Sequence, residues 1–162
     1  MRESTAILDK EGLQNDGQEE FMPSTYQSIV IDESANAIWR KIADFHDLSW
    51  APRVISSCEK VGNINGHETG ARRVLNGAFL ETLTKVDPGY YRLEYSIDDG
   101  PPPVSNEEVS NYTGVIQLSP AEDGLGTLVE WSSSWESNTE DAVDFCHGIY
   151  VALLSELASS FE

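Results

Sequence analysis

Hydrophobic and polar positions change their period several times along the chain, and each change marks an element. Residues 25–31, TYQSIVI, alternate and are rich in β-branched side chains, the pattern of a strand with one buried face. In DESANAIWRKIADF the period lengthens: Ala35, Ile38, Ile42 and Phe45 recur at helical spacing behind Ser34, a good N-cap, which predicts a short helix with Trp39 beside its apolar stripe. HDLSWAP reads as a turn segment or a second short helix ended by Pro52. Strand patterns then follow in series: VISSCEKV, ARRVL, AFLETLTKV, YYRLEYSI, EVSNYTGVIQLSP and TLVEWSSSWES. Between them lie GNINGHETG, the Asn76-Gly77 pair, Asp87-Pro88-Gly89 and the proline-rich DDGPPPVSNE, where Pro101, Pro102 and Pro103 forbid ladder hydrogen bonds. From 139 to 161 the helical period returns, with Val143, Cys146, Tyr150, Leu153, Leu157 and Phe161 on one face. Glu140, Asp141 and Asp144 crowd its first turns, where the helix dipole favours negative charge. Gly148 inside this helix is expected to mark close packing against the sheet or room left beside it.

One strand, two short helices, about six further strands and one long helix predict an α+β fold in which a curved antiparallel sheet grips that helix, since only then are both apolar faces buried. Residues 1–24 are polar, acidic and without sustained periodicity, so they are expected to form a disordered tail. The remaining residues, 25–162, are enough for one sizeable core and not two.

Charge narrows the partners. Ten Lys and Arg against 28 Asp and Glu give a formal net charge of −18, a field that repels phosphate backbones and anionic lipid heads. Neither nucleic acid nor membrane insertion is expected, and with no apolar window of spanning length the expected location is the cytoplasm. Cys58 and Cys146 fit neither a disulfide framework nor a CxxC motif and are expected to be buried thiols. His46, His67 and His147 have no metal-site spacing, and the nucleotide loops and the GxSxG elbow are missing, so no metal or cofactor is expected.

The chemistry worth attention lies around VLNGAFLET. With Asn76-Gly77 as a two-residue turn, Arg72 pairs with Glu81; with a three-residue loop and a bulge, Arg73 meets Glu81 instead. Either register sets a guanidinium against a carboxylate, and one residue of slip turns every side chain to the other face. Exposed, such a pair is a solvated surface feature; buried in an apolar cavity it is suited to holding an oxyanion or moving a proton. Trp50 and Trp135 suit a cavity mouth or wall, while His147 and Tyr150 lie one turn apart on the last helix beside Gly148.

Taken in order, AIWRKIADFHDLSWAP, ETGARRV, FLETL, LEYSI, GPPP and VEWSSSW before a final helix resemble the START-like (SRPBCC) superfamily over residues 25–161, in particular its polyketide cyclase/dehydrase and lipid-transport branch. The resemblance implies a helix-grip fold, a curved seven-stranded antiparallel sheet around the C-terminal helix with an apolar cavity between them. In the plant lachrymatory factor synthases of that superfamily a Gly-x-x-Arg segment and a Glu on the next strand carry catalysis, with tyrosines nearby. Gly70-Ala71-Arg72-Arg73 matches that segment, Arg73 being the counterpart, Glu81 matches the acid, and Tyr95 and Tyr112 resemble the tyrosines. The GPPPVSN loop resembles in position the segment that closes over the cavity in relatives.

Two readings follow. One is a binding protein for a small, largely apolar ligand, of lipid, polyketide or terpenoid type, whose polar end meets Arg73 or Arg72 and Glu81 while Trp50, Phe79, Tyr95, Tyr112, Trp135, His147 and Tyr150 line the cavity under a lid at Pro101–Pro103. The other is a cofactor-independent cyclase, dehydratase or isomerase with Glu81 as acid/base and Arg73 as electrostatic stabiliser. A protein partner has no sequence feature of its own.

Overall fold

The computed structural model describes residues 22–162. Its elements run β1 (Ser24–Ile31), α1 (Ala35–Ile42), β2 (Cys58–Val61), β3 (Arg72–Leu75), β4 (Phe79–Asp87), a single 3₁₀ turn (Pro88–Tyr90), β5 (Arg92–Asp99), β6 (Val109–Pro120), β7 (Thr127–Ser137) and α2 (Ala142–Ser159). The strands form one seven-stranded antiparallel sheet in the order β1-β7-β6-β5-β4-β3-β2. It is a helix-grip α+β fold. α2 carries Ala142, Cys146, Tyr150, Leu153, Leu154 and Leu157 on its buried side, meeting Leu83, Tyr95, Tyr112, Val129 and Trp131 of the sheet in one core.

The fold begins a residue earlier than the sequence pattern suggests. Ser24 already pairs with Ser134, and Pro23 O accepts from Trp135 N at 3.1 Å. The expected tail otherwise falls on residues 1–21, outside the described residues. Where two short helices are predicted after β1, there is one. Ser34 caps it, its side chain accepting from Ala37 N at 3.1 Å, and Ala43 ends it. The segment beyond turns instead, because Asp44 and Asp47 each accept from the backbone N–H two residues on, at 3.0 and 2.9 Å, and Phe45 N bonds Gly66 O. Such local side-chain acceptors draw the backbone away from a helical ladder. The strand predicted over VISSCEKV is likewise confined to Cys58–Val61.

Gly148 marks neither tight packing nor internal room: it is exposed, and a Cβ there would meet nothing within 4 Å. Cys146 is buried and Cys58 half-buried, and burial pushes both thiols above their ordinary range. No helix among the described residues is long and apolar enough to cross a membrane.

Candidate functional site

The hairpin between β3 and β4 combines the two geometries open to its sequence. Asn76 and Gly77 both take left-handed backbone angles, φ 55° and 63°, and Ala78 N donates to Leu75 O at 2.9 Å, as in a two-residue turn. Pairing nevertheless resumes at Leu75↔Phe79, so Ala78 is an extra residue and the register is that of the three-residue loop, Arg73 opposite Glu81. The Asn76 side chain anchors the turn to the preceding segment. Its Oδ1 accepts from Ser56 N, Ser56 Oγ and Ser57 N, and its Nδ2 donates to Val54 O at 3.1 Å.

This register turns Arg73 and Glu81 inward with Ala71, Leu75 and Leu83, leaving them 7% and 5% exposed. Arg73 Nε and Nη2 both donate to the same carboxylate oxygen, Glu81 Oε1, at 2.9 and 2.7 Å. Nη1 donates to Phe45 O at 2.9 Å, and the guanidinium lies 3.7 Å over the Phe45 ring. Glu81 Oε2 has no protein partner among the described residues. Burial pushes the Glu81 carboxyl above its ordinary value, opposed by Arg73 and reinforced by Asp98. A buried ion pair is poor evidence of stabilisation, since desolvation offsets its Coulomb attraction. A half-satisfied carboxylate with a raised pKa is instead suited to accepting a hydrogen bond or a proton from a guest.

The pair opens on a cavity of about 170 Å³ between sheet and α2. Its walls are largely apolar: Leu75, Phe79, Ile97, Phe145, Ile149 and Leu153 contribute, with Leu48, Val54 and Ile55 from the segment after α1. Beyond Arg73, whose Cζ lies 5.8 Å from the centre of the Tyr95 ring, the lining changes to phenols. Trp131 Nε1 donates to Tyr95 Oη at 3.0 Å, Tyr95 Oη donates to Tyr150 Oη at 2.7 Å, and Tyr150 and Tyr112 hydroxyls lie 2.5 Å apart. Burial raises all three phenols well above their ordinary value, so each keeps its proton. Gly114 makes the cluster possible. A Cβ at that position would fall 2.2 Å from Tyr95 Cζ, so only glycine lets the Tyr95 ring lie across β6 toward β7.

Of the sequence candidates, Arg73, Glu81, Phe79, Tyr95, Tyr112 and Tyr150 therefore meet around one cavity. The others do not. Arg72 points to the opposite face of β3, where Nε donates to Thr82 Oγ1 at 3.3 Å. Trp135 is buried behind the cluster, stacked on Tyr112 with centroids 5.2 Å apart. Trp50 lines an outer cleft and a pocket of about 20 Å³ behind Arg73 rather than the main cavity. His147 is exposed, because the helical period carries it off the buried stripe, and its Nδ1 bonds Gln27 Oε1 at 2.8 Å. Pro101, Pro102 and Pro103 do not line the cavity, although Gly100 beside them lies near its rim, where a Cβ would meet Phe79 Cδ2 at 3.4 Å.

Three contributors are not among the sequence candidates. Trp131 shares a strand face with Trp135, a placement that suits core and cavity wall alike, and Cys146 is legible only as a buried thiol. Glu156 gave a weak signal, a carboxylate between Leu153 and Leu157 on the apolar face. It is 5% exposed and accepts from Arg53 N and Nε, both at 2.7 Å, tying the segment that supplies Val54 and Ile55 to α2.

Comparison with known proteins agrees with this architecture. The family model described as polyketide cyclase / dehydrase and lipid transport matches residues 22–162. A solved protein from Nitrosospira multiformis is 46% identical, with a TM-score of 0.83 over 86% of this chain and 97% of that one. XoxI from Bacillus cereus is 27% identical with a TM-score of 0.70, over 86% of this chain and 96% of that one. A Bacillus thuringiensis protein is 28% identical with a TM-score of 0.69, over 85% and 98%. Nothing matches among curated proteins.

Proposed function

The chain belongs to the polyketide cyclase/dehydrase and lipid-transport family, and on that premise we propose that it binds a small, largely apolar ligand in the cavity between sheet and α2, with the ligand's polar end on Arg73 and Glu81. The observation that carries this reading is the pairing of Arg73 with one oxygen of Glu81 inside an apolar cavity, the other oxygen being left for a guest. Folding does not need a desolvated pair there, since an apolar pair of like volume is often as stable. Arg73 then offers donors to a ligand oxygen and Glu81 Oε2 accepts from a ligand hydroxyl. The test is native mass spectrometry of the protein purified from its host, beside an Ile149→Trp variant that fills the cavity. A compound released from the wild type and missing from the variant supports the reading; one carried equally by both contradicts it.

The raised pKa of Glu81 favours a second reading, a cofactor-independent cyclase, dehydratase or isomerase. Glu81 Oε2 takes a proton from the bound compound and returns it at another atom, while Arg73 stabilises the oxyanion that forms between the two steps. Glu81→Gln separates the readings, because it keeps the shape of the site and removes the base. Binding retained with turnover lost identifies an enzyme; a wild type that binds its host compound and returns it unchanged identifies a carrier.

A further inference from the structure

Resting on that reading, we infer that the ligand is a single-ring compound with an oxygen at each end, one held by Arg73 and Glu81 and the other by the hydroxyls of Tyr95, Tyr112 and Tyr150. Size is the first argument. The cavity holds about 170 Å³. An engineered apolar cavity of about 150 Å³ takes up benzene, which puts the guest here at roughly six to ten non-hydrogen atoms. An extended acyl chain or a fused polycycle is several times too large.

Polarity is the second. The cavity has two polar ends rather than one. Glu81 lies on β4, and the Tyr95 ring is laid across β6 by the missing Cβ of Gly114. Arg73 Cζ lies 5.8 Å from the centre of the Tyr95 ring, whose hydroxyl is turned to Trp131 and Tyr150, with the Tyr112 hydroxyl next in the chain. A six-membered ring with an oxygen at either end bridges the two groups.

The direction of the hydroxyl chain then sets the chemistry of each end. Trp131 Nε1 can only donate, so Tyr95 accepts from it and passes its own proton to Tyr150. Tyr150, accepting from Tyr95, donates to Tyr112. The Tyr112 proton is left with two neighbours, the Cys146 thiol, a weak acceptor, and Ser133 Oγ, which is already paired with Thr25 Oγ1 at 2.6 Å. The tyrosine end is accordingly a donor seeking a carbonyl, carboxylate or ether oxygen. The Arg73–Glu81 end, with one carboxylate oxygen free, suits a hydroxyl or enol.

The test is a set of affinities measured by titration calorimetry on the full chain. The probes are 4-hydroxyacetophenone, its analogues lacking the hydroxyl (acetophenone), the ketone (4-ethylphenol) or both (ethylbenzene), and decanoate and a hydroxyanthraquinone as a chain and a polycycle. Each oxygen is expected to tighten binding by roughly three- to tenfold. Tyr112→Phe is expected to erase the advantage of the ketone and keep that of the hydroxyl, with Tyr95→Phe as a second variant should the first disturb the fold. Glu81→Gln should weaken the advantage of the hydroxyl and keep that of the ketone. Single-ring probes that bind alike with or without oxygens overturn the inference, as does tighter binding of decanoate or the polycycle. In both cases a ligand-binding cavity remains. Failure of every probe class to bind overturns the proposed function and this inference with it.

Discussion

Arg73 and Glu81 face each other across the β3–β4 hairpin with Nη2 2.7 Å from Oε1, both inside the protein. Removing one partner strands the other charge in an apolar site. Arg73→Ala is expected to cost about 3–5 kcal/mol of stability, whereas replacing both, Arg73→Met with Glu81→Leu, costs far less or nothing. Urea denaturation of the two variants measures the contrast, and equal losses would show that the pair itself stabilises the fold.

The same burial gives a pH signature. The folded Glu81 carboxyl holds its proton more tightly than the unfolded one, whose ordinary value is 4.5. Protonation thus favours the folded state, and this contribution is complete below the unfolded value and lost as pH rises through the folded one. The stability of the wild type relative to Glu81→Gln should fall over the pH range that opens at the unfolded value of 4.5. Thermal melts across that range check the sign, which would reverse if attraction to Arg73 outweighed desolvation.

Gly114 is a demand of packing. In Gly114→Ala the new Cβ would stand 2.2 Å from Tyr95 Cζ, and the ring, 2% exposed, has little space to retreat. A loss of about 1–3 kcal/mol is expected, as for other overpacked cores. Near-UV circular dichroism should change as the Trp131–Tyr95–Tyr150 contacts break, while Gly148→Ala, which meets no neighbour, leaves the spectrum intact and stabilises α2 by up to about 1 kcal/mol.

Asn76 joins the hairpin to the cavity wall through Ser56, Ser57 and Val54. Asn76→Ala loses those bonds and places alanine at φ 55°, and a cost of about 2 kcal/mol is expected. Amide hydrogen exchange at Val54–Ser57 should accelerate more than exchange in β6, which has no contact with that side chain.

Most of this architecture is legible in the sequence because the elements differ in period: alternating strands, Ile38 and Ile42 in α1, and the Cys146–Tyr150–Leu153–Leu157 stripe of α2. The pairing of a guanidinium with Glu81 was legible too, since every register of the hairpin produces one. Which arginine it is was not. That rests on Ala78 as an extra residue and on Asn76 reaching back some twenty positions to Ser56, a tertiary bond that no local pattern encodes. His147 and Trp50 misled for a related reason. Each lies within a few residues of a cavity-lining neighbour, yet side-chain direction, set by helix phase or turn geometry, sends it elsewhere.

The central claim is that the cavity behind Arg73 takes up a ligand, and methyl NMR tests it most directly. Titrating the full chain with 4-hydroxyacetophenone should give saturable shifts confined to the cavity-lining methyls of Leu48, Val54, Ile55, Leu75, Ile97, Ile149 and Leu153, and these should vanish in Ile149→Trp. Shifts confined to surface methyls, or none at millimolar concentrations for any probe, would contradict the account.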